Sequence, residues 1–282
     1  MEPIRFLSPQ GLPMSRSDLP PSIDPPTEGD SNVTHSKGAE LLVSVRSLDE
    51  LLLAVEAGVA WIDLKDPERG SLGRPNPGLA REFAGRLNAL REQSVFQGVF
   101  SVALGEWQEW VGSEEHHDGS IWGQFDHCKV GLSGRADVGE VCESIERTMP
   151  KELAGKWILV HYADQDAADG PSFEEVMRGT LRLGARHLLV DTFQKDGRSL
   201  ADLVSEETIA GWVAAARRHH VTLALAGSLR VDQLARASSW GANWIAVRSA
   251  VCSGGNRRSQ ASYEKMREAR EQVTLGEIRQ RN

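Results

Sequence analysis

Two charged residues, Asp63 and Lys65, stand where an apolar run, Val59-Ala60-Trp61-Ile62, comes to its end. Side chains alternate along a strand, so both project from one face. A carboxylate and an amine leaving a buried strand side by side are expensive in a core and useful in a site. The stretch that follows, Asp66-Pro67-Glu68-Arg69-Gly70-Ser71-Leu72-Gly73, forces an irregular loop. The pattern returns twice. Lys129 stands near the end of Phe125-Asp126-His127-Cys128-Lys129-Val130-Gly131, and Asp191 closes Leu188-Leu189-Val190 with Lys195 four residues later. Taken singly, each reads equally well as a solvated lysine or a charged turn. Three lysines and two aspartates at the ends of three strands point instead to one site. Clustered amines lower one another's pKa, and a neutral lysine is the nucleophile that a carbonyl Schiff base requires. The aspartates could orient an amine or move protons.

Two later stretches suggest what is bound. Ala226-Gly227-Ser228-Leu229 offers a small-residue turn at a helix start, and Val247-Arg248-Ser249 offers an arginine beside a hydroxyl. Backbone N–H groups at such a helix start suit a phosphate, and Arg248 would add a forked charge. A glycine turn and a surface arginine would explain either alone; together they favour a phosphorylated carbonyl substrate handled through an imine. No HExxH, P-loop or clustered Cys/His is present, so neither a metal nor a cofactor is expected. His116-His117-Asp118 could touch a metal, but adjacent histidines rarely face one ion, and a solvated loop is the expectation.

The elements that must hold these residues follow a rhythm. Strand patterns fall at 41–45, 59–65, 98–104, 125–130, 157–162, 187–191, 221–226 and 243–248, with helical patterns between most of them and a last one from 259 to about 273. Ser47 with Glu50 reads as a capping box, and Gly58, Gly184 and Gly241 end helices just before a strand. Eight strands alternating with helices match an α/β fold of the (β/α)8 TIM-barrel type. An open doubly wound sheet is the alternative, but its GxGxxG turn is missing after the first strand. In the barrel, strand ends carry Ser44, Ser101 and His161 as well as the charges above.

The chain has 282 residues, 40% hydrophobic and 26% charged, with a formal net charge of -8, which argues against a nucleic-acid surface. Seven prolines among Ser, Asp and Gly make residues 1–38 a disordered tail in this reading, with 39–282 as one catalytic barrel. A segment at about 105–124, carrying Trp107, Trp110 and Trp122, breaks the rhythm and reads as a short helix and a surface loop. Cys128, Cys142 and Cys252 read as reduced, buried thiols, and no signal peptide or membrane-length apolar run is seen, so a cytoplasmic protein without membrane partners is expected. Trp212 and Trp240 on outer helices would suit homo-oligomer formation.

Asp63-Leu64-Lys65-Asp66-Pro67 followed by Gly70-Ser71-Leu72-Gly73 resembles the signature of the (5-formylfuran-3-yl)methyl phosphate synthase family. Lys129-Val130-Gly131, Val190-Asp191-Thr192, Lys195-Asp196-Gly197, Ala226-Gly227-Ser228-Leu229 and Val247-Arg248 match it in the same order, and the likeness covers about residues 40–255. The resemblance implies a class I aldolase-like barrel acting as a lyase of methanofuran biosynthesis. It would join two molecules of glyceraldehyde 3-phosphate, a triose phosphate, into a phosphorylated furan aldehyde. It makes Lys65 the Schiff-base lysine and Lys129 the proton acceptor, with Asp63, Asp191 and Lys195 in support. Ser249 stands where the family is expected to have Gly, and the tail and Trp-rich segment are additions. Another imine-forming aldolase or transaldolase-like enzyme on sugar phosphates is the alternative, and a non-catalytic binding barrel the weaker one.

Overall fold

Eight parallel strands hydrogen-bond to their neighbours in sequence order, and the last returns to the first, closing a barrel. The computed structural model describes residues 38–113 and 119–281, so the proline-rich segment to residue 37 and His116-His117-Asp118 lie outside the described residues. The strands are β1 (Glu40–Val45), β2 (Trp61–Leu64), β3 (Val99–Glu106), β4 (His127–Gly131), β5 (Trp157–Tyr162), β6 (His187–Asp191), β7 (Thr222–Leu225) and β8 (Trp244–Val247). Between and after them run α1 (Leu48–Glu56), α2 (Pro77–Glu92), α3 (Trp107–Val111), α4 (Gly119–Trp122), α5 (Val138–Thr148), α6 (Gln165–Ala168), α7 (Phe173–Arg182), α8 (Leu200–Leu203), α9 (Glu206–Arg218), α10 (Val231–Ser238) and α11 (Tyr263–Arg281).

Local sequence explains the boundaries. Asn76 caps α2 through the N–H of Leu79 with Pro77 next to it, and Ser172 and Glu175 form a reciprocal capping box on α7. Gly58, Gly184 and Gly241 have positive φ, the left-handed conformation that lets a helix stop and the chain turn into a strand. Along each strand one set of residues faces the helices and the other the barrel interior. Ile62, Val130, Leu188 and Ile245 belong to the outer core, whereas Leu42, Trp61, Ile158, Val160, Leu189 and Ala224 fill the inside.

Alternation then sorts the even strands into layers, the usual filling of a TIM barrel. Trp61, His127, His187 and Trp244 form the floor, with the two histidine rings 4.3 Å apart and Trp61 5.0 Å from Trp244. Asp63 and Lys129 stand one layer higher, and Lys65 and Asp191 higher again at the C-terminal mouth. All four are buried.

Several expectations change here. Ser47 caps α1 through the Glu50 N–H, but Glu50 does not complete the box: its carboxylate accepts from the N–H of Arg46 and from Arg248. The Trp-rich segment holds the expected short helix, α3, and a second one, α4, and residues 114–118 between them lie outside the described residues. Trp107, Trp110 and Trp122 are buried, with Trp110 edge-on to Trp122, and α4 follows residues 114–118 directly. His161 sits on the outward face of β5 against Phe173 and Trp212, away from the mouth. Trp212 stacks on Phe173 and Trp240 donates to Glu206, and both rings are half-buried. Cys128, Cys142 and Cys252 are free and buried. Among the described residues no helix is long and apolar enough to cross a membrane.

Candidate active site

The C-terminal mouth of the barrel holds a pocket lined by Lys65, Lys129, Asp191 and Lys195 on one side and by Gly227, Ser228, Arg248, Ser249 and Arg257 on the other. Strand register assembles its base. Ser44 of β1 and Ser101 of β3 lie beside Asp63 of β2, because all three occupy paired positions on adjacent strands. Asp63 accepts from Ser44 Oγ at 3.0 Å and from Ser101 Oγ at 2.7 Å, and it pairs with Lys129 Nζ at 2.6 Å. Trp61 Nε1 in turn donates to Ser101 Oγ. A carboxylate with no exposed surface is tolerable only with such a complement of donors and a counter-charge. The aspartate is thereby fixed in place, and it fixes the Lys129 ammonium.

Lys65 is held differently. Its Nζ donates to the carbonyl of Ser71, 3.2 Å away, and no described carboxylate lies within ion-pair distance of it. Burial lowers its pKa to about 7, with Asp191 opposing and Arg257, Lys129 and Lys195 adding to the depression. A substantial fraction of Lys65 is therefore the free amine near neutral pH.

The third charged strand end forms a second pair. Lys195 Nζ lies 2.9 Å from Asp191 Oδ1 and also donates to the carbonyl and hydroxyl of Thr192. Burial pushes the Asp191 carboxyl up, but Lys195, Lys65 and the bond from the Thr192 N–H overcome it and hold it below its ordinary value. Ser71 bridges the two halves, donating to the carbonyl of Thr192 at 2.8 Å and reaching Asp191 Oδ2 at 3.3 Å. The loop after β2 is thus tied to the end of β6 across the mouth.

Eight of the nine sequence-predicted site residues line this pocket and Asp63 lies beneath it, paired with Lys129, but Arg248 is not available there. Its five N–H groups go to Glu50 (2.5 and 3.1 Å) and to the carbonyls of Ser44, Arg257 and Ser259. A guanidinium so committed cannot offer a fork to a phosphate, and its role is to hold the loop after β8. Gly227 and Ser228 make a turn with positive φ at both residues, 112° and 49°, at the pocket wall. A side chain at position 227 would meet Thr192 and Leu200, so glycine is required there for close approach as well as for φ. Sequence reasoning missed Arg257, Glu50 and the binding partners Ser71 and Thr192. The last two lie inside recognised motifs; Arg257 follows a Gly254-Gly255 pair just past β8, which was a usable signal.

Behind the pocket wall a further contact ties the mouth together. Tyr162 donates to Glu106 at 2.5 Å, and the other carboxylate oxygen accepts from the N–H of Ser133. Burial first, then the Glu106 charge, holds the Tyr162 hydroxyl protonated well above its usual range. Among the described residues no group of three or more His, Cys, Asp or Glu is placed to hold a metal ion.

A protein-family model described as 4-HFC-P synthase matches residues 41–270. The chain is 30% identical over 223 residues to (5-formylfuran-3-yl)methyl phosphate synthase of Methanothermobacter thermautotrophicus, covering 78% of this chain and 92% of that protein. It is 32% identical over 227 residues to the enzyme of the same name from Methanopyrus kandleri, with the same coverage. Among solved structures, 3-hexulose-6-phosphate synthase from Salmonella typhimurium is similar in fold, with a TM-score of 0.54 and 16% identity over 84% of this chain and 99% of that one.

Proposed function

The chain belongs to the 4-HFC-P synthase family, and from that premise we propose that it is a lyase converting two glyceraldehyde 3-phosphate molecules into (5-formylfuran-3-yl)methyl phosphate through an imine on Lys65. The reading makes it a cytoplasmic enzyme of methanofuran-type cofactor biosynthesis. One observation carries the mechanism: a buried lysine with a pKa of about 7 stands beside a second buried lysine that is ion-paired to a carboxylate.

The steps follow from those two states. Neutral Lys65 adds to the aldehyde carbon of the first triose phosphate. The Lys129 ammonium gives a proton to the departing hydroxyl, so water leaves and the imine forms. Lys129 is now an amine, and it takes the carbon-bound proton next to the imine, which draws the electron pair into an enamine. That carbon attacks the aldehyde of the second molecule. Loss of one phosphate and two waters over the whole sequence, with ring closure and release of Lys65, gives the aromatic furan. Taking that carbon-bound proton returns Lys129 to its ammonium form, which Asp63 holds in place, and the Asp191–Lys195 pair orients hydroxyl groups at the rim. Gly227, Ser228 and Ser249 supply the phosphate wall.

Purified protein given glyceraldehyde 3-phosphate alone should form an ultraviolet-absorbing product with the mass of the furan aldehyde phosphate. Borohydride added during turnover should leave a reduced adduct on Lys65. An active enzyme with Lys65 unmodified would remove the imine from this reading, and no furan from triose phosphate would remove the substrate.

A further inference from the structure

Arg257 stands on the loop after β8, between Cys252 and the start of α11, with its side chain at the pocket wall. The other pocket cations are already answered. Lys129 has Asp63, Lys195 has Asp191, Arg248 has Glu50, and Lys65, its pKa lowered to about 7, is only partly charged near neutral pH. Arg257 has no described carboxylate within ion-pair distance. Its Nη2 donates to the carbonyl of Gly70 at 2.6 Å, and the rest of its fork has no partner among the described residues. A half-buried guanidinium stays charged, so the mouth carries a positive charge that its own side chains leave uncompensated.

Position adds to charge. Gly70 and Ser71 offer consecutive carbonyls, the first to Arg257 and the second to Lys65. An anion on Arg257 therefore lies beside the amine that meets the carbonyl. The loop carrying Arg257 is itself clamped from below. Arg248 Nε donates to the Arg257 carbonyl at 2.9 Å, Arg248 Nη2 to that of Ser259, and Glu50 accepts from the N–H of Ala261 at 3.0 Å.

We propose that Arg257 binds the phosphate monoester of the substrate whose carbonyl reaches Lys65, and that the buried Glu50–Arg248 pair is a positioning device for it. The substrate class rests on the reading in the preceding subsection; the anion site does not. A planar fork with free donors matches two phosphate oxygens at once. This gives the pocket the arginine that Arg248 cannot be.

Inorganic phosphate titrated calorimetrically into the full chain tests the site without turnover. Wild type should bind it, Arg257→Gln should weaken binding at least about tenfold, and Arg257→Lys should recover part of the loss. In turnover, Arg257→Gln should raise KM for glyceraldehyde 3-phosphate more than it lowers kcat. Borohydride trapping of Lys65 with unphosphorylated glyceraldehyde should stay near wild type when measured at about pH 9, above the Lys65 value of about 7. Arg248→Lys keeps a cation for Glu50 but gives up carbonyls of the loop, so it should lose phosphate affinity with the same trapping retained. No phosphate binding by wild type, or equal binding by Arg257→Gln, overturns the anion site. Unchanged affinity in Arg248→Lys overturns the positioning role. Should wild type fail to consume triose phosphate while Arg257→Gln still loses phosphate binding, the catalytic reading falls and the anion site stands.

Discussion

Lys65 owes its lowered pKa to burial first, and to its charged neighbours second. Lowering an amine's pKa means that its neutral fraction grows as pH rises through that value. Imine trapping at Lys65 should therefore climb between about pH 6 and 8 and then level off, whereas an ordinary lysine would still be climbing near pH 10. A trapping rate that keeps rising to pH 10 contradicts the depressed value. Asp63 is the matching case among the carboxylates. Asp63→Asn leaves the Lys129 ammonium buried beside an amide, so both stability and proton transfer should suffer. We expect activity to fall by about 10²–10⁴-fold and unfolding in urea to shift to lower concentration, while a variant with wild-type turnover would deny Lys129–Asp63 a part in catalysis. Asp63, Lys65, Lys129 and Asp191 were legible because each interrupts or closes an apolar strand, where only function or a partner excuses a charge, and Lys195 because it stands four residues beyond Asp191. Glu50 and Arg248 were not, because their partnership spans 198 positions in sequence. A local reading gives such residues local roles, a helix cap for one and a phosphate fork for the other.

Elements bring these residues together through small departures from regularity. β3 pairs regularly with β4 to Ala103 and then shifts register before Glu106, with Gly105 at φ 88°. That bulge delivers the Glu106 carboxylate to Tyr162 of β5 and to the loop after β4. Gly131 ends β4 in the space between them, where a Cβ would press on both the carboxylate and the tyrosine hydroxyl. Gly131→Ala should thus destabilise by about 1–3 kcal/mol through overpacking, with a measurable fall in Tm and weaker activity from a displaced β4 mouth. An unchanged Tm would show that the clasp yields without cost. Strands and long helices could be read from periodicity and glycine caps because each spans enough residues to repeat its pattern. α3 and α4, with five and four residues, are too short for a 3.6-residue period to show. One short helix and a loop were expected there, whereas two short helices place Trp107, Trp110 and Trp122 in the core.

At the scale of the whole molecule, the barrel stores titratable groups in places where they must stay neutral. His127 and His187 sit in the floor between Trp61 and Trp244, and neither Nδ1 has a partner among the described residues. His161 is wedged between β5 and the outer helices, with its Nδ1 3.2 Å from the Pro171 carbonyl. Burial lowers all three pKa values, to about 4 for His161 and His187, with Glu174 and Asp164 opposing it at His161 and Asp126 at His127. In the floor each histidine also faces the other, and the charge of one disfavours that of its neighbour at His187. A base with a depressed native pKa binds fewer protons folded than unfolded, so stability must fall as pH drops from about 6.5 towards about 4 and change little below that for these groups. His161, 3% exposed, accounts for a loss on the order of 3 kcal/mol across that window. Denaturant midpoints measured at pH 7 and at pH 4.5 should differ accordingly, and His161→Gln, though less stable at pH 7, should show a smaller difference between the two. Equal midpoints for wild type at both values would mean that the histidines escape burial before they are protonated, and that the barrel opens locally rather than as a unit.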